Sequence, residues 1–319
     1  MTRALDVVTI GETLALFRSD GVGPVAHNTR FDLSIGGAES NVAIAVTRLG
    51  GIAAWIGRVG ADSFGDLVTR ELRAEGVQVH AVRDPGHPTA LMIREVRTSN
   101  LARVTYYRAH SAGAHLTPTD VPLETVRSAK ILHVTGITPA LSLDARAAVF
   151  AAVDDARANG VKVSFDVNHR SALWDNDSAV EVYGRLVERA DLVFAGVEEA
   201  GMLVHSAEDL DLESLAQAIA ELGPAQVIIK RGPAGCLAII DGETYDAPAV
   251  QIDPLDTVGA GDAFVGGYLA DLCAGADPVE RLITANAAGA FVCMSPGDWA
   301  GLPARAELGL LEAPDPVIR

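Results

Sequence analysis

Hydrophobic residues along this chain occur in two alternating patterns. Short, uniformly apolar runs, such as residues 6–10, 131–135 and 227–230, have the length and composition of buried strands. Between them lie longer segments, such as residues 142–158, in which apolar residues recur every three or four positions, as on one face of a helix. Because regular alternation of strand and helix produces parallel strands covered by helices on both faces, the pattern predicts an α/β fold with a central, mostly parallel sheet.

One part of the chain interrupts this alternation. Between residues 77 and 107, three predicted strands follow one another with no helix between them. We therefore predict a single α/β domain over residues 1–319, with a small β-sheet lid formed as an insertion by about residues 12–36 and 77–116. Exposed strands of such a lid leave backbone groups unpaired at the sheet edges, which proteins usually cover. We accordingly expect a homo-oligomer joined through the lids.

Composition and charge exclude several classes of protein. Of the 319 residues, 49% are hydrophobic and 21% are charged, and the net charge of −17 makes nucleic acid and anionic membranes poor partners. Cys236, Cys273 and Cys293 form no zinc or Cys-X-X-Cys motif, and their odd number argues against a disulfide framework. The N-terminus lacks the apolar core of a signal peptide, and no apolar segment is long enough to span a membrane. We therefore expect a cytoplasmic protein.

The strongest chemical signal lies at residues 256–264. Gly259 and Gly261 precede Asp262, and the apolar residues that follow predict a helix. The unpaired N–H groups of its first turn, around Gly259, Ala260 and Gly261, would form a site for an anion. A carboxylate beside such a site suggests a base that acts on a hydroxyl while a phosphoryl group is held nearby. On these residues alone, an Asp262 that merely caps the helix is an equal alternative.

Other polar residues come directly after predicted strands. Asn168, Arg170, Glu199, Lys230 and Gly232 all do so, and ligands of parallel sheets bind at the carboxyl ends of the strands. Each alone is consistent with an ordinary surface residue. Five at the same edge of one sheet favour a binding site.

Two further segments suggest a polar ligand. Gly36 and Gly37 open a predicted helix and would let a ligand approach the backbone, while Asn41 could donate to a polyol or simply cap the turn. Tyr106 and Arg108, in the last predicted lid strand, suit a small acidic sugar, because the ring can pack on its carbon skeleton and the guanidinium can pair with its carboxylate. A solvated arginine on an edge strand is the simpler alternative for Arg108.

Taken together, these motifs resemble a known family. Residues 36–50 and 256–264 resemble the N-terminal and C-terminal signatures of the ribokinase-like (PfkB) carbohydrate kinases, in the same order and at fitting spacing. Residues 106–108, 136–142 and 166–170 are similar to those of 2-keto-3-deoxygluconate (2-dehydro-3-deoxygluconate) kinases. The resemblance implies a ribokinase-like fold and ATP-dependent phosphorylation of the terminal hydroxyl of a small keto-deoxy sugar acid, first of all 2-keto-3-deoxygluconate. Alternatives are a kinase for ribose, fructose or a 5-keto-2-deoxygluconate-type acid, and a non-catalytic sugar-binding regulator.

The resemblance also implies roles for individual residues. Asp262 matches the catalytic base, the amides of Gly259, Ala260 and Gly261 match the anion hole, and Glu199 matches the acid that helps to hold Mg²⁺ through water. The implied substrate contacts are Gly36, Gly37, Asn41, Tyr106, Arg108, Arg170 and Asp298. The implied nucleotide contacts are Asn168, Lys230, Gly232, Gly235, Gly261 and Asn286.

Three positions depart from the family pattern. Gly196 stands where a polar residue, often Asn, is usual three residues before the magnesium-linked Glu, which weakens one metal or phosphate contact. Met92 and His169 stand where Tyr is frequent. We expect both to affect the choice of sugar more than the reaction.

Overall fold

The structure is a computed structural model that describes residues 4–98, 101–204, 207 and 210–312. Within these residues the strands are β1 (Leu5–Ile10), β2 (Leu14–Ser19), β3 (Phe31–Gly36), β4 (Ala53–Gly60), β5 (Gln78–Asp84), β6 (Leu91–Thr98), β7 (Leu101–Tyr107), β8 (Ala129–Thr135), β9 (Lys162–Asp166), β10 (Leu192–Gly196), β11 (Gln226–Lys230), β12 (Cys236–Ile240) and β13 (Glu243–Ala247). The helices are α1 (Ala38–Arg48), α2 (Ser63–Ala74), α3 (Leu123–Ser128), α4 (Thr138–Leu141), α5 (Leu143–Ala158), α6 (Asn176–Val187), α7 (Val197–Leu203), α8 (Leu212–Ala220), α9 (Ala260–Ala274) and α10 (Pro278–Cys293).

The central sheet has the strand order β13-β12-β11-β10-β9-β8-β1-β4-β5. The strands from β11 to β5 pair in parallel, and β12 and β13 add an antiparallel edge. The strand order changes direction at β1, which lies between β4 and β8. In open α/β sheets, ligands bind outside the carboxyl ends of the strands near such a change of direction. The sheet confirms the predicted α/β fold.

Separate apolar cores lie on the two faces of this sheet. Side chains of successive strand residues point to opposite faces, so Val8 and Ile10 of β1 are buried in the core that also contains residues of α3, α5, α6, α7 and α8. Val7, between them, is buried in the core formed with α1, α2, α9 and α10. Both faces of β1 are therefore covered, which explains why its sequence is a continuous apolar run rather than an alternating one.

The lid is the second sheet, with the order β3-β2-β6-β7. β2 pairs antiparallel with β3 and parallel with β6, and β6 pairs antiparallel with β7. One predicted boundary is wrong: of residues 77–82, which we assigned to the lid, residues 78–82 lie within β5 and pair in parallel with β4 at the edge of the central sheet. Local β propensity does not show which sheet a strand joins, because the choice of sheet depends on a partner strand elsewhere in the chain.

The hairpin of β12 and β13 was not predicted. Its strands are joined by Asp241 and Gly242, which have φ angles of 51° and 88°. Positive φ at both positions is typical of a two-residue type I′ turn, for which Asp-Gly is a preferred sequence. The dipeptide after the apolar run of β12 is therefore the signal that could have revealed this hairpin.

Two expectations from composition can be compared with the structure. Cys236, Cys273 and Cys293 are free thiols, and burial raises the pKa of Cys236 to about 11. No helix in the described part of the chain is long and apolar enough to cross a membrane.

Candidate active site

A cavity of about 620 Å³ opens between the lid, the beginning of α9 and the carboxyl ends of β9, β10 and β11. Asn168 and Arg170 follow β9, Glu199 lies in α7 directly after β10, and Lys230 ends β11; all four line this cavity. The expectation that these residues share one edge of the sheet is confirmed, since parallel strands end on the same side.

Asp262 lies in the first turn of α9 and does not cap it. Gly259 occupies the N-cap position with φ 78°, and a Cβ there would overlap the backbone oxygen of Asp298, so only glycine fits. The Asp262 carboxylate instead accepts hydrogen bonds from Asn41 Nδ2 (2.8 Å) and Asn168 Nδ2 (3.4 Å). Burial raises the pKa of Asp262, while the hydrogen bond from Asn41 and the charge of Arg170 oppose the rise. A half-buried, hydrogen-bonded carboxylate beside the amides of the first helical turn suits a base rather than a cap.

Close packing of α1 on α9 brings Asn41 to Asp262. At their contact, a Cβ on Gly266 would overlap the Cβ of Ala45, so the helices approach closely. At the beginning of α1, a Cβ on Gly37 would lie 2.6 Å from the backbone oxygen of Glu12, so a larger residue would displace the turn. The two glycine-containing signatures therefore meet in space and place Asn41 opposite the base.

The predicted substrate contacts gather on the lid side of the cavity. Gly37, Asn41, Tyr106, Arg108, Arg170 and Asp298 line it, and Gly36 lies against Asp298, since its Cβ would be 2.6 Å from Asp298 Oδ2. Three buried side-chain atoms of cavity-lining residues have no hydrogen-bond partner among the described residues: Asn41 Oδ1, Arg94 Nε and Asp298 Oδ1. Buried polar atoms normally have partners, so these two acceptors and one donor are groups that a polar ligand could bond.

The two predicted carboxylate-binding arginines differ in their pairing. Arg108 donates to Glu12 Oε2 from Nε (2.8 Å), and its Nη2 lies 2.6 Å from the same oxygen. Glu12 is buried, and its other oxygen also accepts from Ser111 Oγ. Arg170 lines the cavity and makes no salt bridge within the described part of the chain. The charge of Arg108 is therefore already compensated, and Arg170 is the cation available to a ligand carboxylate.

Lys230 is a half-buried cation at the junction with α9. Both oxygens of Asp166 accept from Lys230 Nζ at 2.8 Å. Burial acts to lower the pKa of Lys230, but the negative charges of Asp166 and Glu199 outweigh it and raise that pKa, so the ammonium stays charged. A Cβ on Gly261 would lie 3.6 Å from Nζ, which puts this charge beside the predicted anion hole.

A second cavity of about 430 Å³ adjoins the first. It is lined by most of the predicted nucleotide contacts, namely Lys230, Gly232, Gly235, Gly261 and Asn286. The structure places Asn168 elsewhere, in the first cavity and against Asp262. Lys230, Thr257 and Gly261 line both cavities and therefore mark the place where groups bound in the two would meet.

Glu199 has the properties of a magnesium-linked acid. Its oxygens accept from the backbone N–H groups of Gly196 (2.7 Å) and His169 (2.9 Å), which fix the carboxylate at the mouth of the first cavity. Mg²⁺ prefers oxygen ligands and is usually held by one or two carboxylates together with water and substrate phosphates. The residues present fit this arrangement. A Cβ on Gly196 would make only ordinary contact with Glu199, so the missing polar side chain is not excluded by space.

The other two departures lie in different places. Met92 lines the first cavity, together with the predicted substrate contacts. The ring of His169 hydrogen-bonds to Tyr183, with Nδ1 3.0 Å from the phenol oxygen, and His169 is not among the residues that line the cavity.

Sequence reasoning missed several buried charged residues of the site. Glu12, Glu39, Arg94 and Asp166 line the first cavity, and Asp256 pairs with Arg94. Burial raises the pKa of Glu39 to about 7, although the hydroxyls of Thr135 and Thr138 donate to it. For Asp166, a charged residue directly after an apolar run was the available signal.

Comparison with known proteins agrees with this geometry. The model of the pfkB family carbohydrate kinases matches residues 4–305. The 2-dehydro-3-deoxygluconokinase of Bacillus subtilis is 34% identical over 95% of this chain and 94% of its own, and a fructokinase of Klebsiella pneumoniae is 34% identical over 86% and 90%. The structure of the E. coli protein named Ribokinase II, solved with ATP and Mg²⁺, aligns with a TM-score of 0.89 at 26% identity, covering 97% of this chain and 99% of the other. The chain belongs to the pfkB family of carbohydrate kinases and is a sugar kinase.

Proposed function

We propose that this kinase transfers the γ-phosphoryl group of ATP to the terminal hydroxyl of a small keto-deoxy sugar acid, 2-keto-3-deoxygluconate. The observation that carries the proposal is the position of Asp262. It lies in the first cavity, next to Gly261, at the boundary with the second cavity. A hydroxyl bound in the first cavity and a triphosphate bound in the second would meet beside this carboxylate.

The lining of the first cavity supports an acid as substrate. Arg170 supplies a cation without a carboxylate partner among the described residues. The unpartnered atoms of Asn41, Arg94 and Asp298 can bond hydroxyl groups. Similarity to a protein named 2-dehydro-3-deoxygluconokinase adds weight to the same substrate.

A neutral sugar is the second candidate, and one observation favours it. Glu12 compensates Arg108, so only Arg170 distinguishes the cavity from one built for an uncharged sugar such as fructose. The similarity to a fructokinase, at the same identity of 34%, is consistent with this alternative.

In the proposed reaction, Asp262 acts as the base. The sugar oxygen forms a bond to the γ-phosphorus as the bond from that phosphorus to the β–γ bridging oxygen breaks, and the hydroxyl proton passes to Asp262. The amides at the beginning of α9 and the ammonium of Lys230 stabilise the charge on the phosphoryl oxygens. Glu199 would hold Mg²⁺ through water, and the metal neutralises phosphate charge when bound. The lid excludes water that would otherwise hydrolyse ATP.

The test is ATP-dependent phosphorylation of a sugar panel by wild type and by Arg170→Gln. The panel contains 2-keto-3-deoxygluconate, 2-keto-3-deoxygalactonate, ribose, fructose and 2-keto-gluconate. The expected result is a preference for a keto-deoxy acid, with a KM for that acid raised at least about tenfold in Arg170→Gln, since a charge-assisted contact is lost. Arg157→Gln, at an exposed position on α5, is the matched control and should leave KM unchanged.

Two results would contradict the proposal. Preference for a neutral sugar would overturn the acid assignment and leave the kinase reaction in place. Near-normal turnover by Asp262→Asn, which keeps the shape and removes the base, would overturn the role of Asp262, for which a loss of about 1,000-fold in kcat is expected.

A further inference from the structure

The lid contributes a buried arginine to the cavity. Along β6, Met92 and Arg94 point into the first cavity, whereas Ile93 and Glu95 line a groove on the opposite face of the lid. Only 8% of the Arg94 side chain is exposed. An arginine this deeply buried on a lid strand requires a partner, because an unpaired buried charge is strongly destabilising.

That partner is Asp256, the first residue of the C-terminal signature. Nη1 and Nη2 of Arg94 donate to the two oxygens of Asp256, and 6% of the Asp256 side chain is exposed. The same carboxylate accepts from the backbone N–H groups of Val258 and Gly297, each at 3.1 Å. Asp256 therefore joins three segments: the lid, the turn that leads into α9, and the loop that carries Asp298.

The third nitrogen of Arg94, Nε, takes no part in the contact with Asp256. Nε is buried and has no hydrogen-bond partner among the described residues, and Arg94 lines the first cavity. The nitrogens of the guanidinium therefore differ in their contacts. Its Nη groups hold the turn before the anion hole, while Nε is free to donate to an oxygen of a bound sugar.

We propose that Arg94 is a positioning residue that links the occupied sugar site to the anion hole. A sugar oxygen accepts from Nε and orders the guanidinium, the Nη groups hold Asp256, and Asp256 fixes the turn at Val258 from which the amides of Gly259, Ala260 and Gly261 emerge. The phosphoryl-binding amides are then held in place when the lid is closed over a sugar. This inference rests on the proposed phosphoryl transfer, and not on which sugar is the substrate.

The test is a double-mutant cycle with Arg94→Met, Asp256→Asn and the two combined, assayed on whichever sugar the wild type phosphorylates. Each single variant should lose about 100-fold in kcat, as expected when a reacting group is displaced by about 1 Å. Arg94→Met should also raise the sugar KM, whereas Asp256→Asn should not, because Asp256 does not face the sugar. The double variant should lose no more kcat than a single one, since both changes break the same link.

The cycle stays decisive even where a single variant folds poorly. The double variant removes both charges of the buried pair, so it is the form that should remain folded. Arg97→Met, on the same strand and paired with Glu95 outside the cavity, is the matched control and should stay within about twofold of wild type, as surface substitutions usually do. Normal kcat in the double variant would overturn the proposal, and so would a loss equal to the product of the two single losses.

Amide hydrogen exchange tests the link without any sugar. In Arg94→Met, exchange should rise together in β6 and in residues 256–259, while Arg97→Met should change neither. A rise confined to β6 would show that Arg94 does not hold the turn, and would overturn the proposal. If the wild type phosphorylates no sugar in the panel, that result counts against the proposed substrate. Hydrogen exchange then decides the role of Arg94.

Discussion

Glu39 provides a stability prediction whose size follows from the structure. It lies in the first turn of α1, fully buried, and its Oε1 accepts from Thr135 Oγ1 (2.7 Å) and Thr138 Oγ1 (2.8 Å). Burial raises its pKa from 4.5 to about 7, because the charged form is desolvated. Ionisation of this one carboxyl therefore opposes folding.

The sign and the pH range follow from the two pKa values. Below pH 4.5 the group is protonated in both the folded and the unfolded state, so it makes no pH-dependent contribution. Between 4.5 and about 7 only the unfolded state ionises, and the free energy of unfolding falls by about 1.4 kcal/mol per pH unit. Above this range both states are ionised, and the accumulated loss is about 3 kcal/mol.

Glu39→Gln removes the ionisable carboxyl group and keeps the shape of the side chain. A glutamine Oε1 can accept from the same two threonine hydroxyls, and the side chain has the same size beside Gly11, where a Cβ would overlap the carboxylate. We expect the variant to gain stability relative to wild type as pH rises, by about 3 kcal/mol between acidic and mildly alkaline solution. The free energy of unfolding of a folded protein is typically about 5–15 kcal/mol. A change of about 3 kcal/mol is therefore large enough for an unfolding assay to resolve.

Urea unfolding followed by circular dichroism, repeated from about pH 5 to about pH 8, measures the difference. Glu188→Gln is the matched control, because that carboxylate is 64% exposed and the same change should have a small effect at every pH. A stability difference for Glu39→Gln that does not vary with pH would refute the reasoning, since it would mean that Glu39 ionises equally easily in both states.

Three further predictions concern the site and the lid. Because burial raises the pKa of Asp262 above its ordinary value of 3.8 and the base must be ionised, kcat should fall on the acid side at a pH above 3.8, as a pH–rate profile would show; an acid limb at or below that value would contradict the assignment. Lys230→Met should lower kcat by about 100-fold or more with a smaller change in the KM for ATP, whereas Lys230→Arg should retain part of the rate, as steady-state kinetics would measure. On the edge strand β7, Leu101 and Tyr107 are 61% and 59% exposed, so we expect lids of two copies to pair there. Light scattering should give a mass above 33.3 kDa for the wild type and a shift toward 33.3 kDa for Tyr107→Lys; a wild-type monomer would contradict this prediction.

Much of the fold followed from local patterns. The apolar runs and helical periods predicted the parallel strands and the helices between them, including α5 within the predicted segment 142–158. They did not predict that residues 78–82 join the central sheet, because strand pairing with β4 depends on a separate segment of the chain. The hairpin at Asp241 was missed although its dipeptide signal was present in the sequence.

Some features of the site also followed from local sequence, whereas others depend on contacts between remote residues. Two glycine-rich signatures are readable in the chain and identified Asp262, Asn41 and the helix amides, because backbone shape near a glycine is a local property. The hydrogen bond between Asn41 and Asp262 joins residues 221 positions apart, and the pairs Arg108–Glu12 and Arg94–Asp256 span 96 and 162 positions.

Such pairings decide which charges a ligand meets. Arg108 and Arg170 look alike in the sequence, yet Glu12 compensates the first and no described carboxylate pairs with the second. Sequence by itself determined the type of fold and predicted the proposed base and anion hole, because local periodicity and the glycine-rich turns are readable in the chain. Tertiary structure alone decided the burial and pairing of charges, because both depend on segments that meet only after the chain has folded.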